Sequence, residues 1–321
     1  MKSVLRSLNN FNKIITPVLL LIFFTSCGKS QDNSEISFKS GPAFKRNKIV
    51  EQDKKELIKQ KEKKIKARYK YVTFYKYDGT LPEDRTLVEK ILFNKNGLRT
   101  EHLRYKSTGE IDLVYTFKYD EKGRVVEMVT RNGQDMIMGK KQSVFDKNGN
   151  EIEQVLINQR GTAEVRSVTE YDKDGNFKEI KNYSPKGDVV NTQTFMHNGN
   201  VSKSIDKGFD GRISQEVDLT YNEMGLLIKE ETKTPAGNIV VTYKYDEKGN
   251  LIEHVNPQYR RTYIYNENGD LLLDELITTE GVRQFKVKFT YDKNGMQKEE
   301  VRYTADDKPA FYGVYEYEFF K

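Results

Sequence analysis

The chain has 321 residues, with 54 Lys/Arg against 48 Asp/Glu (formal net charge +6), 22 Gly, 20 Tyr, 17 Phe, no Trp and one Cys. A single cysteine excludes an internal disulfide, so non-covalent forces alone hold the fold. Residues 45–70 carry 12 Lys/Arg and 4 Asp/Glu, which leaves 71–321 at a net −5; a mildly acidic array without a basic stripe excludes a nucleic-acid partner.

Residues 1–26 read as an export signal. Lys2, Arg6 and Lys13 give a positive start without an acid, and Ile14 to Phe24 form an apolar run of 11 residues, too short to span a bilayer. Thr25-Ser26-Cys27 follows at once. Small residues directly before the chain's one cysteine resemble the lipobox of bacterial lipoproteins. That resemblance implies cleavage before Cys27, a diacylglyceryl thioether on its sulfur and an acylated N-terminus. Several acyl chains hold far more firmly than one, at about 0.8 kcal/mol per buried CH₂. Gly28 rather than Asp follows the cysteine, which in lipoprotein sorting implies the outer membrane. The expected setting is the cell envelope.

Residues 27–46 are rich in Ser, Lys and Asn and contain Gly41-Pro42; they read as a flexible tether spanning on the order of 25 Å. Over 47–68, Val50, Leu57, Ile58 and Ile65 recur near helical spacing among Lys, Glu and Gln, which predicts one basic helix with a narrow apolar stripe. Two readings of it stand: attraction to an anionic surface beside the anchor, or a solvated spacer packed on the first strands.

From 69 to 321 one short pattern returns. Tyr171-Asp172-Lys173-Asp174-Gly175-Asn176 has counterparts at Phe93 to Gly97, Tyr119 to Gly123, Phe145 to Gly149, Tyr221 to Gly225, Tyr245 to Gly249, Tyr265 to Gly269 and Tyr291 to Gly295. An aromatic favours extended backbone. Asp or Asn next suits the first position of a type I turn, and Gly three residues on suits its left-handed last position. Asp120 with Gly123, Asp146 with Gly149, Asp172 with Gly175, Asp246 with Gly249 and Asp292 with Gly295 are therefore read as hairpin corners. Weaker corners alternate with these, as at Gly109, Gly133, Gly161, Gly187, Gly211, Gly237 and Gly281. The fold class expected is all-β: a long, curled, antiparallel up-and-down meander of repeated β-hairpins, about 19 strands, with one N-terminal helix covering an open edge.

The motifs Tyr119-Asp120…Gly123, Tyr171-Asp172…Gly175-Asn176, Tyr245-Asp246…Gly249-Asn250 and Tyr291-Asp292…Gly295 resemble the Rhs/YD-repeat superfamily over roughly residues 93–307. The resemblance implies a spiralling β-sheet that forms shells around toxins or extended surface structures. A weaker likeness is to small MORN-like repeat proteins described as antitoxins.

Candidate chemistry is sparse. Tyr119, Tyr171, Tyr245, Tyr265 and Tyr291 recur at corresponding positions, and Phe117, Tyr243, Tyr263 and Phe289 stand two residues before four of them, on the same face. Such a column is either a stacking platform for sugar rings or peptide, or the concave core of the curled sheet. The tyrosine hydroxyls are expected near water. Asp172, Asp174, Asn176 and Glu179 imitate a calcium loop, but Phe177 occupies the sixth position, where the turn needs Gly. His102, His197 and His254 are not at metal-ligand spacing, and no phosphate loop, GxSxG or HExxH appears. No cofactor, metal or catalytic residue is expected. The reading is a lipid-anchored envelope repeat protein, a structural or binding scaffold whose partner is a glycan or another envelope protein. One alternative is an immunity or toxin-associated protein. A second is a glycan-active hydrolase, which needs two converging carboxylates.

Overall fold

The structure is a computed structural model of the chain and describes residues 64–76 and 78–321. It contains β1 (Ile65–Phe74), β2 (Thr86–Phe93), β3 (Arg99–Tyr105), β4 (Ile111–Tyr119), β5 (Val125–Asn132), β6 (Ile137–Phe145) and β7 (Glu151–Asn158). Next come β8 (Ala163–Tyr171), β9 (Phe177–Tyr183), β10 (Val189–Asn198), β11 (Val201–Gly208), β12 (Ile213–Tyr221), β13 (Leu227–Thr234) and β14 (Gly237–Tyr245). The last six are β15 (Leu251–Val255), β16 (Tyr259–Tyr265), β17 (Leu271–Thr278), β18 (Arg283–Tyr291), β19 (Gln297–Tyr303) and β20 (Pro309–Phe319). Every strand pairs antiparallel with its sequence neighbours, from β1–β2 through β19–β20.

β1 also pairs with β20, from Ile65 opposite Phe319 to Phe74 opposite Phe311. This pairing overturns the expected open meander: the 20 strands form a closed antiparallel barrel. The physical reason is that a long sheet's twist brings its two ends together, and joining them satisfies the row of N–H and C=O groups that either edge would leave bare. The expected helix over 47–68 is corrected as well, since Ile65 to Arg68 begin β1; the rest of that segment, with the signal, Cys27 and the tether, lies outside the described residues. No edge is left for a helix to cover.

The strong corners (β2–β3, β4–β5 and onward) lie at one end of the barrel, the near rim, and the weak corners at the other, the far rim. The chain enters and leaves at the near rim, where Phe320 N–H donates to the Lys64 carbonyl at 2.8 Å. Eight near-rim corners share one geometry; at the β10–β11 corner a two-residue turn pairs Asn198 with Val201 instead. Gly175 N–H donates to the Asp172 carbonyl at 3.1 Å. The Asp172 Oδ1 accepts from the N–H groups of Asp174 and Asn176 at 2.9 and 2.8 Å. Gly175 sits at φ +81°, which a Cβ would strain. The register slips by a residue at the preceding aromatic, between Glu170 and Tyr171, the bulge expected of a type I turn followed by a left-handed residue.

Paired residues share a face, and nearly all the buried ones share the same face: Ile91, Phe195, Leu219, Tyr243, Tyr263, Val287, Phe289 and Tyr315. Curvature crowds side chains on the inside of a closed sheet and splays them outside, so this is the inner wall. Its apolar clusters run along neighbouring strands, one across β12–β14 around Leu219, Leu227 and Tyr243, another across β16–β18 around Tyr263, Leu271 and Phe289. Barrels of roughly sixteen strands or more leave an open lumen rather than a filled core. At ~4.8 Å per strand and a tilt near 40°, 20 strands give a diameter of about 40 Å.

Candidate functional site

The inner wall is where chemistry is concentrated, because it buries charge. At the seam where β20 meets β1, the Lys70 Nζ lies 2.8 Å from Glu300 Oε1, and both side chains are below 10% exposure. Lys70 is on β1 and Glu300 on β19, so the pair reaches across β20. It passes at Gly313, which is directly opposite Glu300. The Tyr315 hydroxyl donates to Glu300 Oε2 at 2.8 Å, and Lys70 also lies over the Tyr315 ring, 5.4 Å from its centroid. One strand further, Glu89 accepts from Arg68 at 2.9 Å and contacts His102 Nε2 at 3.1 Å. Burial alone would push the Glu89 carboxyl up; Arg68, His102 and Lys70 outweigh it and hold the group well below the usual carboxylate range. Tyr315 is pushed well up, first by burial and then by the Glu300 charge.

A second anchor joins β16 and β17. Arg261 grips Asp274 with two bonds, Nε to Oδ1 at 2.7 Å and Nη2 to Oδ2 at 2.6 Å, and Asp274 is 1% exposed. Arg261 also lies over the rings of Tyr263 and Phe285, each 5.3 Å to the centroid. Such bidentate pairs fix geometry as well as charge.

Between these sectors, β8 to β12 carry a ladder of amides and hydroxyls. Ser167 donates to Asn182 at 2.5 Å, and Asn182 to Asn191 at 2.6 Å. Gln215 donates to Asp206 Oδ2 at 2.5 Å. The other oxygen of Asp206 is buried with no bond. Burial raises this carboxyl, against the pull of Gln215 and Gln193. Glu89, held low by its cations, is the reverse of the raised carboxyl that a general acid requires.

The outer wall differs. Lys118 pairs with Glu127 at 2.7 Å, Arg166 with Glu153 at 2.7 Å, Lys233 with Asp218 at 2.7 Å and Lys244 with Glu253 at 2.6 Å. The Lys118 bond, then those of Gln142 and Lys140, draw the Glu127 carboxyl down to about 2.

Residues singled out in the sequence fall into place unevenly. Asp120, Asp146, Asp172, Asp246 and Asp292 head near-rim turns, each accepting the N–H of its Gly123, Gly149, Gly175, Gly249 or Gly295 at 2.9–3.1 Å. Tyr119, Tyr171, Tyr245, Tyr265 and Tyr291 end strands beside those turns, half-buried. Their hydroxyls are not simply in water: Tyr119 donates to the Arg99 carbonyl at 2.6 Å, Tyr171 to Glu151 at 2.9 Å, Tyr265 to Leu251 at 3.0 Å and Tyr291 to Leu271 at 3.0 Å. Tyr245 packs against the Leu219–Tyr243 cluster. His197 contacts Ser202 at 2.9 Å and the Phe177 carbonyl at 2.8 Å, and His254 stacks on Tyr243, 5.1 Å between centroids. Cys27 lies outside the described residues. Among the described residues no group of His, Cys, Asp and Glu is placed to hold a metal. The sequence reading missed Arg68, Lys70, Glu89, Glu300 and Asp274. Of these, Glu89 stands as a charge between Leu87 and Ile91 on one face of β2, while Arg68 and Lys70 share a face, as Glu300 does with Arg302.

A closed wall of hairpin repeats, polar and charge-paired within, defines a β-shell. The chain belongs to the Teneurin YD-shell family, whose model matches residues 99–319. Among solved structures it is similar to the Photorhabdus luminescens Tc holotoxin pore (TM-score 0.33, 13% identity, covering 73% of this chain and 13% of that one). It is also similar to a porin-like protein from Bacteroides uniformis (TM-score 0.36, 9% identity, covering 79% and 98%). The chain thus spans only a small part of the Tc chain it matches. No curated protein matches it in sequence.

Proposed function

We propose that the protein is a lipid-anchored shell of the cell envelope, a non-catalytic scaffold whose barrel stands in water and whose lumen or rim receives a glycan or another envelope protein. The observation that carries this is the outer wall. A barrel embedded in lipid presents an apolar band about 25 Å tall, whereas this wall alternates Lys and Glu, paired from strand to strand. A shell of that kind needs a separate tether to stay at a membrane, and Cys27, behind its lipobox-like sequence, supplies one. The buried ion pairs of the inner wall serve as struts that keep a hollow wall in one register.

The test is fractionation of cells making the full chain, with and without Cys27→Ser, after feeding an alkyne fatty acid. The reading expects label and membrane association in the parent chain and loss of both in the variant. Membrane retention of unlabelled Cys27→Ser protein would mean that the barrel itself is embedded, and would remove the reading. Closure of the wall also favours a second reading, an enclosing or immunity role beside a toxin. A toxin-encoding neighbour of the gene is the observation that supports it.

A further inference from the structure

We propose that the amide row of the inner wall is a binding site for an uncharged glycan, which lies across strands β6 to β12 inside the barrel. This narrows the occupant of the shell to one chemistry and rests on the scaffold reading.

Register, not sequence spacing, makes the row. Ser143 lies opposite Gln154, Gln154 opposite Ser167, Ser167 opposite Asn182 and Asn182 opposite Asn191. Closer to the near rim, Gln193 lies opposite Asp206 and Asp206 opposite Gln215. Asn191 and Gln193 share a face of β10 with Phe195 of the inner wall, so both runs face the lumen. The six steps from β6 to β12, at ~4.8 Å each, make a path of about 29 Å.

Elsewhere the inner wall buries charge, as Arg68, Lys70, Glu89 and Glu300 at the seam and Arg261 with Asp274. In these two runs Asp206 is the single charge. A row built only to brace the wall would close on itself. Among the described residues this one does not: the Gln154 side chain and the Asn191 amide nitrogen have no partner, and Asp206 Oδ1 is buried without a donor. Gln193, directly opposite Asp206, is held to Ser204 by a long bond of 3.5 Å, so a small side-chain movement opens that oxygen.

The unspent groups choose the occupant. They include donors and acceptors, and a sugar hydroxyl does both at once. On the near-rim side the rings of Tyr171, Phe177 and Phe195 follow one another at 5.2 and 5.5 Å, an apolar strip for the C–H face of a sugar ring. An acidic polymer would have to leave its carboxylates unpaired there, since neither run contains a cation. A peptide strand finds no free sheet edge to extend, because β1 pairs with β20.

The test is calorimetric titration of the purified full chain. The probes are cellohexaose, maltohexaose, mannohexaose and xylohexaose, with hexagalacturonate as the acidic counterpart. At least one neutral probe should bind with a Kd below about 1 mM, and hexagalacturonate at least about tenfold more weakly. Gln154→Leu and Asp206→Asn should each weaken the best neutral probe by about tenfold, the equivalent of ~1.4 kcal/mol. Gln154 holds no other side chain and Asn keeps the shape of Asp206, so their urea midpoints should match the parent's. Lys244→Ala on the outer wall should bind like the parent. The proposal is overturned if no neutral probe binds, if hexagalacturonate binds as well as the best of them, or if both inner-wall variants bind like the parent. In the last case a glycan is held elsewhere and the scaffold reading survives without this site. Membrane retention of unlabelled Cys27→Ser protein would remove the scaffold reading and leave the titration as it is, so the two fail separately.

Discussion

The Tyr291 hydroxyl donates to the Leu271 carbonyl 3.0 Å away, 20 residues back in the chain. The same 20-residue step links Tyr119 to Arg99, Tyr171 to Glu151 and Tyr317 to Gln297. The aromatic at the end of one strand thus fastens the strand beside it at the near rim, where the bulge has interrupted the ladder. Tyr→Phe at 119, 171, 291 or 317 keeps the ring and removes only the bond. Each change should lower unfolding free energy by about 1 kcal/mol, and the four together by roughly the sum, since the sites share no partners. Urea unfolding followed by circular dichroism measures this; four silent substitutions would show that the hydroxyls carry no stability.

Gly313 has no room for a side chain. A Cβ added there would stand 2.7 Å from the Cγ of Glu300 and 3.2 Å from its carboxyl carbon. Those atoms have little room to give, because Glu300 is held by both Lys70 and Tyr315. Gly313→Ala should therefore destabilise the barrel by roughly 1–3 kcal/mol, the range for overpacking. The same substitution in a Glu300→Ala background should cost measurably less, which a double-mutant cycle reads directly. Equal costs in the two backgrounds would show that the two positions are not coupled.

Alkaline pH tests the tyrosine environment. Tyr69, Tyr245 and Tyr263 are pushed up to about 12, in each case first by burial. Tyrosine in an unfolded chain ionises near 10. The folded value is the higher one, so these groups contribute stability that is complete below pH ~10 and lost as pH rises through about 12. Absorbance of tyrosinate should show a subset of the 20 tyrosines lagging until the barrel opens. All of them should titrate together near pH 10 in denaturant. A native curve that superimposes on the denatured one would contradict the buried placement.

The hairpins were legible because their corners are local chemistry. Asp172 and Gly175 do at the corner what their side chains dictate, and neither needs a distant partner. The closure was not legible, for two reasons. The first far-rim connection, residues 75–85, carries Tyr77-Asp78-Gly79 with Gly one residue after Asp instead of three, so it did not read as a corner and the strand before it was not counted. Ile65-Lys66-Ala67-Arg68 also ends a basic stretch whose Val50, Leu57 and Ile58 suggested helical spacing. The alternation of buried Ile65 and Ala67 with exposed Lys66 and half-buried Arg68 was present in the sequence, but two apolar residues do not outvote a longer pattern. The inner-wall site was illegible for a different reason. Lys70 and Glu300 are 230 positions apart in the numbering and meet only because the sheet closes on itself, so no spacing rule could join them. Arg261 and Asp274 are closer, 13 apart, yet an acid and a base in neighbouring strands of a chain this rich in both carry no signal until register decides which wall they face.

Closure of the sheet is the claim on which the lumen, the struts and the two rims all depend. It is tested most directly by a disulfide across the seam. Tyr71 and Val314 are paired on β1 and β20; Lys229 and Thr242, paired on β13 and β14, are a control that forms in a closed or an open sheet. In a Cys27→Ser background, mild oxidation of Tyr71→Cys/Val314→Cys should yield an intramolecular crosslink as completely as Lys229→Cys/Thr242→Cys, seen as faster migration without reductant. A seam pair that remains reduced while the control pair closes would contradict the barrel.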